Sequence, residues 1–204
     1  MPSWRLAWCM GCRADMAHAP ASPVLRRQVH LRRISCEGFE RDDGLFDIVG
    51  TLIDTKPFPI ELQEKTVAGN EAIHHMTLCL TIDRDRLIHD VVAHTVEGPH
   101  AVCGAITDSY RRLIGLRIQP GFTLVAKRLF RNEQGCTHMT ELLPPMATTA
   151  FQMLWSGADD VTDPDQPEHR NSPLGGCHAL KTDGEIVRLH FPEQYTGKTG
   201  GDLT

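Results

Sequence analysis

Cysteine and histidine residues stand where two helices are predicted to begin. Cys136 and His138 open an amphipathic run, and Cys103 lies at a second predicted junction between a strand and a helix. Thiolate and neutral imidazole are ligands that zinc and iron prefer, and the exposed N–H groups of a helix start favour the thiolate form. One histidine of the pair His74 and His75 completes the set, because neighbouring strand residues face opposite sides. We therefore expect a divalent zinc or iron ion bound by His74, Cys103, Cys136 and His138, with His75 as the alternative to His74.

Two carboxylates are candidates for proton transfer beside this ion. Glu141 lies one turn after His138 on the predicted helix, where it could act as a general acid and base for a metal-activated water. It could equally stabilise the helix dipole. Asp43 could act as a base or orient a ligand histidine, or it could serve only the turn in which it lies. Glu141 and Asp43 are therefore the candidate catalytic residues.

Three further side chains are candidates for substrate binding. Tyr110 and Arg111 lie on a predicted helix and could hold an anionic or aromatic substrate, with a solvated helix face as the alternative. Arg41 precedes Asp42 and Asp43, with which it could form part of the same site or a surface ion pair. The candidate substrate-binding residues are therefore Arg41, Tyr110 and Arg111.

Two other pairs of residues could bind a metal. Cys9 and Cys12 form a Cys-x-x-Cys pair that could bind metal or act in redox chemistry. No strand precedes the pair to fix its geometry, so a dispensable leader is the alternative. Cys177 and His178 are a replacement or additional ligand pair, and their role stays open.

The bulk composition restricts the class of protein. The chain has 204 residues, 41% hydrophobic and 23% charged, with a formal net charge of -5. We therefore expect one globular domain with a small-molecule substrate and no nucleic-acid partner. No apolar run approaches the roughly 18 to 20 residues that span a bilayer, which argues against a membrane partner. Seven cysteines without scaffold spacing favour reduced thiols in the cytoplasm, and a homo-oligomer stays open.

The strands that must position these residues are predicted in the first half of the chain. Alternating apolar residues indicate one hairpin around Asp43-Gly44 and a second around residues 83–86. A last hairpin is expected near residues 177–189. Residues 1–30 are predicted to be a poorly ordered leader, and residues 196–204 a flexible tail, on either side of a single domain at 31–195.

Helices are predicted after the first two hairpins, where the apolar period changes from 2 to 3.6. Pro144 and Pro145 should kink or divide the last of these helices. Strands followed by helices predict an α+β fold, an antiparallel sheet of two or more hairpins with helices packed on one face. The predicted helices span about 103–114, 123–130 and 137–155.

Six motifs stand out along the chain. They are CEGFERDDGL at 36–45, DTKP at 54–57, IH at 73–74, YRRL at 110–113, GCTHMTEL at 135–142 and GCHAL at 176–180. Together they resemble the signature of an uncharacterised bacterial domain family of unknown function, over about residues 31–195. The resemblance implies a stand-alone cytoplasmic protein of bacteria that is associated with the catabolism of aromatic compounds.

The order of elements is also similar to that of the iron-sulfur cluster scaffold proteins. Cys103 and Gly104 match the Cys-Gly of those proteins, and Cys136 and His138 lie near the place of their His-Cys pair. Residues 71–76 contain histidine and no cysteine where the scaffold proteins have a further cysteine ligand. The resemblance implies a metal site, and this departure leaves room for a stably bound mononuclear ion.

Taken together, these features predict a metal-dependent enzyme of bacterial small-molecule catabolism, a lyase or hydrolase. The resemblance suggests an aromatic, lignin-derived or acyl substrate. This hypothesis requires a pocket beside the ligands. One alternative is a non-enzymatic metal or iron-sulfur carrier with exposed ligands. The other is a metal-free small-molecule-binding protein or enzyme whose cysteines and histidines pack the core or line a pocket.

Overall fold

The computed structural model describes residues 25–155 and 173–197. The predicted leader and tail are therefore described only in part, and Cys9 and Cys12 lie outside the described residues. Within the described ranges, no helix is long and apolar enough to cross a membrane.

An antiparallel sheet forms the centre of the fold. Four strands form this sheet in the order β1-β2-β5-β6, while β3 and β4 form a separate two-stranded sheet. Both predicted hairpins and the α+β class are confirmed. The strands are β1 (Leu31–Glu40), β2 (Phe46–Thr55), β3 (Ile60–Glu61), β4 (Thr66–Val67), β5 (Ala72–Ile82) and β6 (Ile88–Glu97).

The turn between β1 and β2 shows why the first hairpin could be predicted. Gly44 has a φ of 83°, which a residue without a Cβ adopts at little cost. Asp43 accepts a hydrogen bond from the Leu45 N–H at 3.2 Å, as aspartate commonly does in turns.

Helices follow the sheet, as the change of period predicts. They are a 3-10 helix at Ala101–Leu113, α1 at Phe122–Leu129 and α2 at Thr137–Leu154. The prolines at 144 and 145 do not divide α2. An interior proline costs about 3 kcal/mol or more, and buried apolar side chains before and after the two prolines, Leu142, Leu143 and Met146, offset this cost.

The hairpin predicted near residues 177–189 is wrong. The segment instead forms α3 (Glu185–His190), followed by a 3-10 turn at Pro192–Gln194. Glu185 and Arg188 form an ion pair one helical turn apart, which supports the helix. A short apolar run does not distinguish a strand from a helix, which explains the error.

Helix α2 packs directly across the sheet. A Cβ added at Gly50 of β2 would lie 2.6 Å from the Sδ of Met146, so a larger residue at this position would force the Met146 side chain to shift. The first turn of α2 then comes to lie where β2 ends, and His138 is placed 3.6 Å from Asp54.

Candidate metal centre

A row of three polar side chains crosses the sheet near the end of β2. Arg32 of β1 lies opposite Asp54, and Asp54 lies opposite His74 of β5. Asp54 continues the buried alternation of β2, so its charged side chain is on the face that the helices cover. The register of β2 and β5 shifts between Asp54 and Thr55, and such irregularities are common next to functional sites. The sheet alone thus aligns a guanidinium, a carboxylate and an imidazole.

Arg32 compensates the buried charge of Asp54. The aspartate side chain is 1% exposed, and Arg32 donates from Nε to Oδ1 and from Nη2 to Oδ2, each at 2.8 Å. His30 Nε2 lies 3.2 Å from Oδ1. Burial raises the pKa of Asp54, but the hydrogen bonds and charge of Arg32 outweigh burial, so the pKa stays below its usual value. Asp54 is therefore an ionised carboxylate at neutral pH.

His74 presents a buried nitrogen without a hydrogen-bond partner. Its Nδ1 lies 3.2 Å from Asp54 Oδ2, but not in hydrogen-bond geometry, and the atom has no other partner among the described residues. A buried polar atom left unpaired costs about 1 to 3 kcal/mol. In the tautomer that carries its proton on Nε2, the lone pair of Nδ1 is free to bind a cation.

His138 reaches the same carboxylate from the start of α2. Its Nε2 lies 3.6 Å from Asp54 Oδ2. Its ring stacks on the ring of His74, with centroids 3.7 Å apart and an angle of 26° between the planes. The two imidazoles therefore present nitrogens to one oxygen atom from two different elements.

Tyr110 fixes the position from which α2 begins. Its hydroxyl accepts a hydrogen bond from the Cys136 N–H at 3.0 Å and lies 2.7 Å from the Cys136 carbonyl oxygen and 2.8 Å from Thr140 Oγ1. Tyr110 is fully buried and stacks on Phe130. A core residue therefore holds the residue that precedes the helix, and through it the backbone that carries His138.

Both histidines favour the neutral form. Burial lowers the pKa of His74 and of His138 below the ordinary value of 6.5, and it outweighs the opposite effect of Asp54. A charge on His138 lowers the pKa of His74 further. Because a metal ion binds the neutral imidazole, no proton has to be displaced from the two rings at neutral pH.

Three potential ligand atoms lie close enough together for one ion. A carboxylate oxygen of Asp54 and one ring nitrogen each of His74 and His138 lie within 4.8 Å of one another, the one such group within residues 25–155 and 173–197. Bonds of about 2.1 Å to zinc place tetrahedral ligand atoms about 3.4 Å apart. The distances of 3.2 and 3.6 Å from the two nitrogens to Oδ2 are close to this spacing. The arrangement can hold one cation with two nitrogen ligands and one oxygen ligand.

The structure brings together two of the four predicted ligands, His74 and His138. Cys136 is close, with its Sγ 3.8 Å from His138 Nδ1, but it does not belong to the group of three. Cys103 packs beside Gly98 at the end of β6 and does not belong to the group either. Asp54 therefore takes the place of the cysteines in the candidate ligand set.

Asp54 is the potential ligand that the sequence did not predict. It stands in the DTKP motif, at a position where the alternation of β2 requires a buried side chain. An aspartate is rarely buried unless it is paired. A charged residue at a buried position of the strand is therefore the feature that could have identified Asp54. The same alternation separates the two adjacent histidines, since His75 lies opposite Ile53 in the neighbouring row.

Of the two predicted catalytic carboxylates, one lies beside the group and one does not. Glu141 accepts a hydrogen bond from Arg32 Nη1, and its side chain is 54% exposed. Asp43 lies in the turn between β1 and β2, where it accepts two hydrogen bonds from Arg41. That turn is at the opposite end of both strands from Asp54. The structure therefore does not bring Asp43 or Arg41 to the ligands.

The remaining predicted site residues lie apart from the group of three. Arg111 forms an ion pair with Asp90 of β6, at 3.2 Å. Tyr110 is buried in the core and does not face solvent. Cys177 and His178 are exposed in the segment that precedes α3.

Four cavities of the described residues lie elsewhere. They have volumes of about 540, 340, 250 and 410 Å³, and Asp54, His74 and His138 line none of them. These cavities give no support to the expected pocket beside the ligands. The exposed side chains of His30 and Glu141 instead border the group at the surface.

The chain matches a known protein family. A family model described as a protein of unknown function (DUF2889) matches residues 30–152, a range that contains the whole sheet and all three potential ligands. The predicted resemblance to an uncharacterised domain family is confirmed, whereas the similarity to iron-sulfur scaffold proteins is not shown. Searches of curated proteins and of solved structures give no match.

Proposed function

We propose that this chain, which belongs to the DUF2889 family of proteins of unknown function, is a metal-dependent enzyme. One zinc or iron ion would be bound by His74, His138 and Asp54. The proposed reaction is the hydrolysis or lyase-type cleavage of a small molecule. The observation that carries the proposal is the convergence of two imidazole nitrogens on one buried carboxylate oxygen, at 3.2 and 3.6 Å.

The kinds of ligand support an enzyme more than a structural metal site. Structural zinc sites are usually closed by four cysteine or histidine ligands, whereas catalytic sites have three protein ligands and leave a position for water or substrate. Two histidines and one carboxylate are also the protein ligands of many non-haem iron(II) sites. The described group offers this combination, which is why zinc and iron are both proposed.

The residues around the group would orient the metal ligands and transfer a proton. Arg32 orients the carboxylate of Asp54 by binding both of its oxygens, and Tyr110 fixes the backbone before His138. A bound divalent ion would supply Lewis-acid activation of a carbonyl group or of water. Glu141, exposed and next to the group, would accept or donate the proton.

The proposed substrate is a small aromatic, lignin-derived or acyl compound. This part of the proposal rests on the family resemblance. The position of the group at the surface supports access from solvent, since the side chains of His74 and His138 are 18% and 22% exposed.

A metal-free ion-pair network is the competing explanation of the same contacts. Arg32 alone neutralises Asp54, and an arginine fork on a buried carboxylate is a common way to satisfy such a charge. Under this explanation, His74 and His138 would only pack against the pair. It leaves the unpartnered Nδ1 of His74 without a role, whereas metal binding gives it one.

A zinc titration of the metal-free protein, prepared without a histidine tag, separates the two explanations. We expect one zinc per chain by calorimetry, and at least about tenfold weaker binding in His74→Ala and in His138→Ala. His75→Ala is the matched control, because its side chain lies on the other face of the sheet, and it should bind zinc like the wild type. Equal affinity in wild type and His74→Ala would favour the metal-free network. An iron(II) titration without oxygen tests the second ion in the same way.

A further inference from the structure

Arg32 has one donor that faces outward from the buried ion pair. Its Nε and Nη2 are bound to Asp54, and its Nη1 donates to Glu141 Oε2. The Asp54 side chain is 1% exposed, while those of Arg32 and Glu141 are 35% and 54% exposed. One guanidinium therefore has a buried side that is fixed and a surface side on which a carboxylate is already bound.

The two sides of this guanidinium differ in how easily their partners are exchanged. The contact with Asp54 is bidentate and buried, so Arg32 keeps its orientation. The contact with Glu141 is a single exposed ion pair, a kind that contributes little to stability. Another carboxylate can therefore replace Glu141 on Nη1 without disturbing Asp54.

The charge of the site supports an anion in this position once a metal is bound. Arg32, Asp54 and Glu141 together carry one net negative charge, and a histidine that binds a metal ion is neutral and adds none. A divalent ion changes this sum to one net positive charge. The loaded site would therefore attract an anion, and Nη1 is the donor through which Arg32 can bind it.

We propose that the substrate is a small carboxylate that Arg32 binds through Nη1 in exchange for Glu141. This inference rests on the proposed function, because it names the substrate class of the same site. Glu141 marks the position of the substrate carboxylate in the unliganded protein. Its displacement frees a carboxylate one helical turn from His138, where it serves as the proton acceptor.

Acetate is the probe for this exchange, with acetamide as its uncharged counterpart. We expect zinc-loaded Glu141→Gln to bind acetate roughly twofold to fivefold more tightly than wild type, because the competing charge is removed, an effect of the size of one exposed ion pair. Acetamide should not distinguish the two proteins. Glu185→Gln is the matched control, since Glu185 forms an exposed ion pair with Arg188 on α3, and it should bind acetate like the wild type.

The outcomes separate this inference from the proposed function. Equal acetate affinity in wild type and Glu141→Gln, or no acetate binding to the zinc-loaded variant, would overturn the exchange. If the protein binds no zinc, the proposed function fails. The metal-free proteins then still test whether Arg32 Nη1 binds a carboxylate in exchange for Glu141. Tighter acetate binding in Glu141→Gln than in wild type would support this exchange, and equal acetate binding would reject it. Arg32→Lys should abolish the difference in acetate affinity between proteins with and without Glu141→Gln, since lysine lacks Nη1 and cannot bind both oxygens of Asp54 at once. Circular dichroism checks that Arg32→Lys folds.

Discussion

The imidazole rings of His74 and His138 stack at 3.7 Å, one carried by a central strand and the other by the first turn of α2. In this arrangement one nitrogen of each ring lies near Oδ2 of Asp54, at 3.2 and 3.6 Å. A strand and a helix that are distant in the chain thus meet at one carboxylate. The candidate metal centre depends on how precisely the helix is positioned on the sheet.

Zinc affinity should decrease in mildly acidic solution. The pKa values of His74 and His138 both lie below 6.5 in the folded protein, so the rings are neutral at pH 7 and protons compete with zinc only as the pH falls below about 6.5. Calorimetric titrations across this range check the prediction. Loss of affinity that begins well above pH 7 would contradict it, because it would indicate a ligand with a higher pKa, such as a thiol.

The metal-free protein should lose stability in two steps as the pH falls. His74 and His138 have lowered pKa values, so the unfolded chain binds more protons below 6.5 and stability declines from there. Asp54 also has a lowered pKa, so its contribution is present above 3.8 and is lost as the pH falls below that value. Urea unfolding at a series of pH values measures both steps. In the double variant His74→Ala/His138→Ala, the loss of stability below pH 6.5 should be smaller.

Asp54→Asn should destabilise the protein by about 2 to 4 kcal/mol. The amide keeps the shape of the carboxylate but removes the charge that Arg32 binds, and losing one partner of a buried pair is costly. Urea unfolding of the metal-free protein measures the change. Asp90→Asn is the control, because the pair of Asp90 with Arg111 is exposed, and it should cost less than about 1 kcal/mol. Similar effects of the two substitutions would show that Arg32 and Asp54 do not form a buried pair.

Gly50→Ala should move α2 and weaken zinc binding. The added methyl group would lie 2.6 Å from Met146 Sδ, and such overpacking costs about 1 to 3 kcal/mol. Since His138 lies on the same helix, the displacement should also lower zinc affinity. Gly104→Ala is the control, because no atom lies within 4 Å of its added Cβ. Wild-type zinc affinity in a folded Gly50→Ala would contradict the dependence of the site on the position of the helix.

Tyr110→Phe should act on the site without touching a ligand. The change removes the hydroxyl that binds the Cys136 N–H and carbonyl, and a buried donor left unpaired costs about 1 to 3 kcal/mol. We expect lower stability and weaker zinc binding, measured by urea unfolding and calorimetry. Tyr195→Phe, next to the turn at Pro192–Gln194 and outside the core, should change neither. If zinc affinity stayed unchanged while stability fell, Tyr110 would have only a structural role.

The fold could be predicted from local patterns because its sheet follows simple rules. Alternation and the turn residues at Asp43 and Gly44 determine the hairpins, and the change of period locates the helices. The segment around Ile186 was assigned wrongly because residues 186–189 contain only three apolar residues, and so short a run fits either period. Pro144 and Pro145 were expected to kink or divide α2, and they do not divide it. The burial that stabilises this helix depends on tertiary contacts that no local pattern contains.

The candidate site was only half predictable. His74 and His138 stood out by residue type, whereas Asp54 has its role because Arg32 and His74 face it across the sheet. Which residues of neighbouring strands lie opposite each other becomes known only once the strands are paired. Cys103 was favoured by its place at a helix start, but it packs beside Gly98 at the end of β6 and does not belong to the group of three.

The most direct test is anomalous diffraction at the zinc and iron absorption edges, from crystals of the protein prepared without a tag. We expect one anomalous peak about 2.0 to 2.2 Å from His74 Nδ1, His138 Nε2 and a carboxylate oxygen of Asp54. A peak at Cys103 or Cys136 without Asp54 would contradict this set of ligands. No peak in crystals soaked with zinc, with Arg32 still bound to Asp54, would establish the metal-free network instead.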